Sequence, residues 1–333
     1  MRTLHITNGD GAANLLKSSS VSGDVLPWRD PMHHGPFPAD LSLDELSGLR
    51  ARYLVGPTGD PTEAERDFRL RDDHLRAATN YDSIVLWFEH DLLDQLQILQ
   101  ILDWFAGTDL GETSLEMICI DWFPGIEPFR GLGELTPDQI RRLYPARNSV
   151  PVETLRLARA GWQAFRSDDP NHLLDFTKVD LSPLPYLAAA LWRHFEEFPF
   201  MTSGLTRTEA QLLSLVAKGI DRPSQLFVKN MDLEIALFIG DWRTFTVFDT
   251  LCASSLLANS EGAFQYPPFK ADRTAFENQR LQLTDVGRSV LEGQETAFRH
   301  VRRDGWLGGV RVASDDNMWT WNGQSACFER HDS

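Results

Sequence analysis

One segment constrains the fold more than any other: residues 83–88, SIVLWF, followed at once by EHD and the apolar run LLDQLQILQILDWF. A continuous apolar, partly β-branched run of six residues is typical of a strand covered on both faces, as in a parallel sheet. The run after it has helical length. Together they predict a strand-to-helix unit of an α/β domain.

The same alternation continues on both sides of this unit. Residues 3–7 (TLHIT) and 115–120 (LEMICI) are predicted as buried strands, and residues 24–28 (DVLPW) as a strand weakened by its proline. Residues 41–56 have helical spacing. Between the strand predicted over 24–28 and this helix, the segment RDPMHHGPFPAD contains three Pro and one Gly, so we expect a loop without regular structure.

A chain of 333 residues is too long for one typical core, so we expect more than one domain. The pattern predicts an α/β domain with a Rossmann-like, mainly parallel sheet over 1–130 and a helical connector over 131–200. A winged-helix-like domain is predicted over 201–300 and a β tail over 301–333. We expect the tail, WLGGVRVASDDNMWTWNG, to form two short strands that return to the first domain and cover its sheet.

The charge pattern argues against nucleic-acid binding. The formal charge is −16, whereas nucleic-acid binding needs a basic surface. The helix predicted over 241–254, which would enter the major groove in a winged-helix protein, carries Arg243 against Asp241 and Asp249. We therefore prefer a helical packing or dimerisation module, with an effector-sensing transcription regulator as the alternative.

The three cysteines are far apart in the sequence, and no CxxC spacing occurs, so neither a disulfide framework nor a zinc ribbon is predicted. The first residues lack the apolar segment of a signal peptide. No run approaches 18 apolar residues without a charge. We expect a cytoplasmic protein with no membrane segment.

Polar side chains follow each of the four predicted strands of the first domain. They are Asn8, Gly9 and Asp10, then Asp30, His33, His34 and Gly35, then Glu89, His90 and Asp91, and finally Asp121. Ligands of parallel α/β sheets bind beyond the carboxyl ends of the strands. The convergence of four such ends predicts a small-molecule site there.

Glu89, His90 and Asp91 are the candidate catalytic residues of this site. A carboxylate and an imidazole at a core strand end have little structural purpose and suit acid, base or ligand roles. Asp91 has a second interpretation, as the cap of the following helix. Asp94 and Gln95, one turn later, either face the same cleft or form a solvated flank.

Asn8, Gly9 and Asp10 are candidate ligand-binding residues, because the NGDG turn suits a phosphate at a helix start. The alternative is a tight turn in which Asp10 caps the helix. Asp30 and His34 are the remaining candidates. With His33, they would join Glu89 and His90 around a first-row metal, or belong to a mobile polar loop. No HExxH or HxH spacing occurs, so the sequence specifies neither a metal nor a cofactor.

Three segments also resemble a bacterial family defined by a domain of unknown function, number 1835. They are HITNGD, WRDPMHHGP and LWFEHDLLDQLQILQILDWF, and the resemblance covers roughly residues 1–130. The later pieces GDWRTF and LQLTDVGRSVLEGQ look like the tail of longer members. The resemblance implies a bacterial cytosolic protein with an α/β N-terminal domain, and it implies no particular reaction.

We therefore expect a protein that binds or acts on a nucleotide or phosphorylated small molecule, an anionic ligand, at the carboxyl ends of its N-terminal sheet. The alternatives are the transcription regulator and a non-catalytic interaction protein, and the sequence does not decide whether the chain is an enzyme.

Overall fold

The computed structural model describes residues 2–267, 273–314 and 317–331. Their contacts divide the chain into two compact units. The first unit comprises Met1–Leu191 and Trp306–Arg311, and the second comprises Trp192–Gly305 and Val312–Ser333. The helices predicted to connect two domains thus fall largely in the first unit.

The elements up to the division are as follows. The strands are β1 (Thr3–Thr7), β2 (Asp24–Pro27), β3 (Gly35–Pro36), β4 (Ser83–Glu89), β5 (Ser114–Ile120) and β6 (Asn148–Ser149). The helices are α1 (Asp10–Ser18), α2 (Leu43–Val55), α3 (Thr62–Arg76), α4 (Leu92–Ala106), α5 (Pro137–Leu143), α6 (Val152–Phe165), α7 (Pro170–Phe176) and α8 (Leu187–Phe195), in which the second unit begins. Short 3-10 turns lie at Ala77–Asn80, Leu132–Glu134 and Tyr144–Ala146.

The later elements are mainly helical until the tail. The helices are α9 (Arg207–Ala217), α10 (Pro223–Met231), α11 (Asp241–Ala253), α12 (Thr274–Asn278) and α13 (Asp285–Leu291), with a 3-10 turn at Ala297–Arg299. The strands are β7 (Leu257–Asn259), β8 (Leu281–Leu283), β9 (Asp304–Gly308), β10 (Val310–Ala313), β11 (Met318–Asn322) and β12 (Cys327–His331).

A five-stranded sheet in the order β2-β1-β4-β5-β6 organises the first unit. The first four strands pair in parallel, and β6 adds an antiparallel edge. All seven residues of β4 are buried, as its continuous apolar sequence predicted. The prediction of a mixed α/β fold with a mainly parallel sheet is confirmed.

Helices cover this sheet. An apolar cluster joins α1 to β4 and to the segment after β5, with Leu16, Trp87 and Leu132 among its buried members. Helix α4 packs against α6, and Gly161 of α6 allows the close approach, since a Cβ there would lie 3.0 Å from a Leu99 methyl. Such close-packed contacts favour one arrangement of helices over others.

Local signals in the sequence place several helix starts correctly. Ser42 caps α2 and Thr136 caps α5, each in a reciprocal capping box with the residue three positions later. Asp91 caps α4 by accepting a hydrogen bond from the Asp94 backbone N–H at 3.1 Å. Asp10 does not cap α1, which begins after Gly9 without a side-chain cap.

The loop over 29–40 differs from the expectation of a mobile polar loop without regular structure. Met32 and Phe37 are fully buried, and β3 pairs in parallel with β9. The Arg50 guanidinium, itself buried, donates hydrogen bonds to the Asp30 carboxylate and the His34 carbonyl. Tertiary contacts that no local pattern encodes therefore hold the proline-rich segment.

The tail also differs from its prediction. The segment predicted as two strands, residues 306–323, contributes to three, with β9 and β10 in one sheet with β3, and β11 paired antiparallel with the following β12. Residues 306–311 do return to the first unit, but they pair with the two-residue β3 and not with the five-stranded sheet. Backbone pairing partners lie far away in sequence, so periodicity did not indicate them.

The second unit is built around α9, α10, α11 and α13, with β7 and β8 as an antiparallel pair. Its core includes Leu212, Leu226, Phe248 and Leu281. Across the described residues of both units, no helix combines the length and the apolar character that crossing a bilayer requires.

Candidate functional site

The candidate site lies where the order of the sheet reverses direction. After β1 the chain passes through α1 to β2 on one side, and after β4 it passes through α4 to β5 on the other. Right-handed crossovers in opposite directions place the two helices on opposite faces and leave a crevice between the carboxyl ends of β1 and β4. Asn8 and Glu89 stand at these two ends.

Three buried carboxylates meet at this crevice. Glu89 ends β4, Asp91 caps α4, and Asp94 lies in the first turn of that helix. One oxygen from each of the three lies within 4.8 Å of the other two, and none of the three residues is more than 5% exposed. Among the described residues, no Lys or Arg forms an ion pair with any of them.

Neutral donors hold the carboxylates instead. The Asn8 amide donates to Glu89 Oε1 at 3.0 Å and to both Asp94 oxygens at 3.1 Å. The Glu89 backbone N–H donates to Asp94 Oδ2 at 2.6 Å, and the Leu132 N–H donates to Glu89 Oε1 at 2.5 Å. Asn8 therefore joins β1 to β4 through the acidic cluster, and its amide nitrogen is occupied.

Burial makes this cluster hard to ionise completely. Loss of hydration raises the pKa of the Glu89 carboxyl to about 8 and that of Asp91 to about 7, and it raises the pKa of Asp94 well above its usual range. The mutual repulsion of the three charges raises the pKa values of Glu89 and Asp94 further. The cluster therefore needs bound protons or a bound cation.

The segment after β5 forms a wall of the site that sequence reasoning missed. Gly131 is buried with a φ of +142°, and a Cβ at that position would lie 2.3 Å from Glu89 Oε2. The next residue, Leu132, supplies the N–H to Glu89 Oε1. Only a glycine lets the backbone approach the carboxylate this closely.

His90 lies beside the cluster, half-buried, between aromatic rings. Its ring centroid is 6.4 Å from that of Phe129, at an interplanar angle of 30°, and 6.1 Å from that of Tyr186. The Tyr186 hydroxyl donates to Asp121 at 3.0 Å, so the residue that follows β5 also reaches this edge. Glu89, His90 and Asp91 are thus brought together, as their adjacency required.

The turn after β1 lies at the same edge of the sheet, but its Asp10 side chain already has a partner. Gly9 precedes α1, and Asp10 is exposed and forms a two-pronged ion pair with Arg29, at 2.8 Å for each bond. This hydrogen bond lowers the pKa of the Asp10 carboxyl. The structure therefore gives Asp10 a partner other than a ligand.

Asp30 and His34 belong to a different cluster. Asp30 forms a buried ion pair with Arg50 at 2.6 Å, and the His34 ring lies 3.3 Å from the Tyr53 hydroxyl. The one group of possible metal ligands within the described ranges is Glu89, Asp91 and Asp94. The mixed set of imidazole and carboxylate groups considered from the sequence is not assembled.

His5 is a core residue. It is fully buried in β1, its Nδ1 lies 3.1 Å from the Trp87 indole N–H that donates to it, and burial lowers the pKa of its ring. Asp94 and Gln95, whose position was left open, are buried, and Gln95 donates to the Glu89 carbonyl at 2.8 Å. The sequence signal for Asp94 was its position three residues after Asp91, at the start of a helix.

No model of a known protein family matches the chain, and no curated protein matches it. The family assignment made from the sequence motifs accordingly stays a prediction.

Proposed function

We propose that the first unit binds a nucleotide or another phosphorylated small molecule at the crevice between β1 and β4, through a divalent cation held by Glu89, Asp91 and Asp94. One observation carries the proposal: three carboxylates lie within 4.8 Å of one another, buried and without a basic partner among the described residues. Hard divalent cations prefer such oxygen ligands.

The cation also explains how an anionic ligand would bind beside three acidic groups. A phosphate placed directly against them would be repelled, whereas a metal ion bridges carboxylates and phosphate oxygens. Helix α1 begins directly after β1, and the start of a helix favours negative charge. His90 adds an imidazole for acid, base or ligand roles. Whether a reaction follows binding depends on groups of the ligand itself.

The proposal is tested with the purified protein by thermal denaturation and by Mn²⁺ paramagnetic resonance. Mn²⁺ or Mg²⁺ at 100 times its dissociation constant should stabilise the protein by about 2.7 kcal/mol. Asp91→Asn should abolish cation binding while keeping the helix cap, because Asn is an equally good capping residue. Asp10→Asn, at the exposed Arg29 pair, is the matched control and should bind as the original protein does.

Two results would contradict the proposal. One is the absence of any stabilisation by divalent cations, and the other is stabilisation that persists in Asp91→Asn. If the cation binds, inorganic phosphate and nucleotides are titrated in its presence and in its absence. A phosphate that binds only with the cation supports the bridging arrangement.

We further propose that the first unit is Rossmann-like, belongs to the family defined by the domain of unknown function 1835, and acts in the bacterial cytoplasm. For the second unit we propose a winged-helix-like module for packing or dimerisation. Support comes from α11: Phe245, Phe248 and Leu251 turn into the core, and its one basic residue, Arg243, bonds to Thr246. Duplex binding at low salt would contradict this role.

A further inference from the structure

His90 has two ring nitrogens in different environments. Nδ1 is completely buried and has no hydrogen-bond partner in the part of the chain that the structure describes. Nε2 also has no partner among the described residues, yet it is not among the completely buried atoms. Nε2, and not Nδ1, is therefore the ring nitrogen that remains accessible.

The tautomer follows from this difference. A buried N–H without an acceptor is rarer and costlier than a buried acceptor without a donor. The proton of a neutral His90 therefore belongs on Nε2, with Nδ1 left bare against apolar neighbours. An Nε2–H group is a hydrogen-bond donor, so its natural partner is an acceptor oxygen.

We infer that His90 Nε2 donates a hydrogen bond to a phosphoryl oxygen of the ligand, and that Phe129 and Tyr186 are positioning residues that hold the ring for this contact. The inference rests on the proposed function, which supplies a phosphorylated ligand at this edge. It adds to that function the ring atom that contacts the ligand and the direction of the hydrogen bond. It also adds two positioning residues that do not lie at strand ends.

Phe129 and Tyr186 hold the ring from two directions. Phe129 is buried and lies near-parallel to the imidazole, whereas Tyr186 meets it edge-on at an angle of 67°. Two contacts in different planes restrict both the tilt and the rotation of the ring. Burying an unpaired Nδ1 is tolerated when such packing fixes the ring orientation.

Tyr186 is itself fixed by Asp121. Its hydroxyl donates to Asp121 Oδ1 at 3.0 Å. Burial and this carboxylate raise the pKa of the Tyr186 hydroxyl to about 12, so the hydroxyl keeps its proton at neutral pH. The chain Asp121–Tyr186–His90 thus connects the end of β5 to the end of β4, and it gives the polar residue after β5 a function in the site.

The experiment compares four variants of the full chain: His90→Gln, His90→Asn, Tyr186→Phe and Tyr186→Leu. The amide nitrogen of Gln reaches the position of Nε2, whereas that of Asn reaches only the position of Nδ1. Each variant is titrated with Mn²⁺ alone and then with inorganic phosphate in the presence of Mn²⁺. Nitrogen NMR of the histidine rings, recorded with diamagnetic Mg²⁺ in place of Mn²⁺, reports the tautomer of His90 and its response to phosphate.

We expect Mn²⁺ to bind to all four variants, so that the change in phosphate affinity can be measured separately in each. Phosphate affinity should fall roughly tenfold or more in His90→Asn and much less in His90→Gln, since a hydrogen bond to a charged group is lost in the first. Tyr186→Leu should resemble His90→Asn, and Tyr186→Phe, which keeps the ring, should lie between. Phosphate should shift the Nε2 resonance of His90 and not the Nδ1 resonance.

The outcomes separate the two claims. If Mn²⁺ does not bind, the proposed function fails and this inference fails with it. If Mn²⁺ and phosphate bind but the Gln and Asn variants lose affinity equally, or the His90 resonances do not respond to phosphate, the cation site stands and the inference is wrong. An Nδ1-protonated tautomer in the free protein would also overturn it.

Discussion

The two units treat buried charge in opposite ways. In the second unit the buried Arg193 guanidinium is bonded to the Glu234 carboxylate at 2.9 Å through two nitrogens, to Glu197 at 2.7 Å and to the Thr208 hydroxyl. In the first unit the cluster of Glu89, Asp91 and Asp94 has, among the described residues, neutral donors only.

The difference shows how a structural network is told from a candidate site. A buried ion pair with every group satisfied keeps its charges in place and has no capacity for a further ligand. Buried like charges without a counter-ion leave an electrostatic imbalance that a proton or a cation removes. Variants that remove the basic partner in the second unit, or the repulsion between carboxylates in the first unit, test this difference.

The largest effect is expected for Arg193→Met. Removing the guanidinium leaves Glu197 buried without a cation and Glu234 with Arg207 alone, at 3.5 Å, which costs up to about 3–5 kcal/mol of unfolding free energy. Lys178→Met is the matched control, because the Lys178–Asp175 pair is fully exposed. Urea denaturation measures both. A loss no greater in Arg193→Met than in the control would mean that the buried network is not structural.

A smaller effect is expected for Gly131→Ala. The new Cβ would collide with the Glu89 carboxylate, so we expect a loss of about 1–3 kcal/mol and a weakened cation site. Gly133→Ala is the control, because nothing lies within 4 Å of a Cβ there. Thermal denaturation with and without Mn²⁺ measures both variants. Equal behaviour of the two alanine variants would show that the backbone at Gly131 does not position Glu89.

The pH dependence of stability should also distinguish carboxylates without a basic partner from those that have one. The folded-state pKa values of Glu89 and Asp91, about 8 and about 7, lie above those of the unfolded chain, near 4. The folded protein therefore holds more protons between these values, and its stability falls as pH rises from about 4 to about 8. The slope is up to about 1.4 kcal/mol per pH unit for each extra proton.

Glu89→Gln should flatten this slope, and Mn²⁺ should do so in the original protein, since both remove the repulsion at high pH. Asp10, whose pKa is lowered by Arg29, contributes in the opposite direction: its stability is present above the unfolded pKa and is lost as pH falls. Denaturation midpoints across pH 4 to 9 measure the slope. A midpoint that rises with pH in this window would contradict an unpaired acidic cluster.

The sequence predicted the sheet well because its signals are local. The continuous apolar run of β4 marks a strand buried on both faces, and the Asp91 cap marks where α4 begins. Ser42 and Thr136 marked two further helix starts. The sequence predicted that the tail returns to the first domain but not that it pairs with β3. This pairing joins segments about 270 residues apart.

The site was predicted in part for the same reason. Glu89, His90 and Asp91 follow one strand and had to lie together. Asn8 lies beside them because β1 pairs with β4, and the spacing of the strands in the sequence does not show that pairing. Asp30 was placed wrongly beside them as a metal ligand, because nothing in the local sequence indicates that Arg50 is its partner.

The sequence by itself determined the four parallel strands of the first sheet, where several helices begin, and that polar residues follow these strands. These features depend on periodicity and on contacts within a few residues along the chain. Only the tertiary structure decided that Gly131 lies against Glu89, that the ring of Tyr186 contacts that of His90, and which buried acids have a basic partner. Those outcomes depend on strand order and on burial, and burial sets the electrostatic cost of each charge according to its distant neighbours.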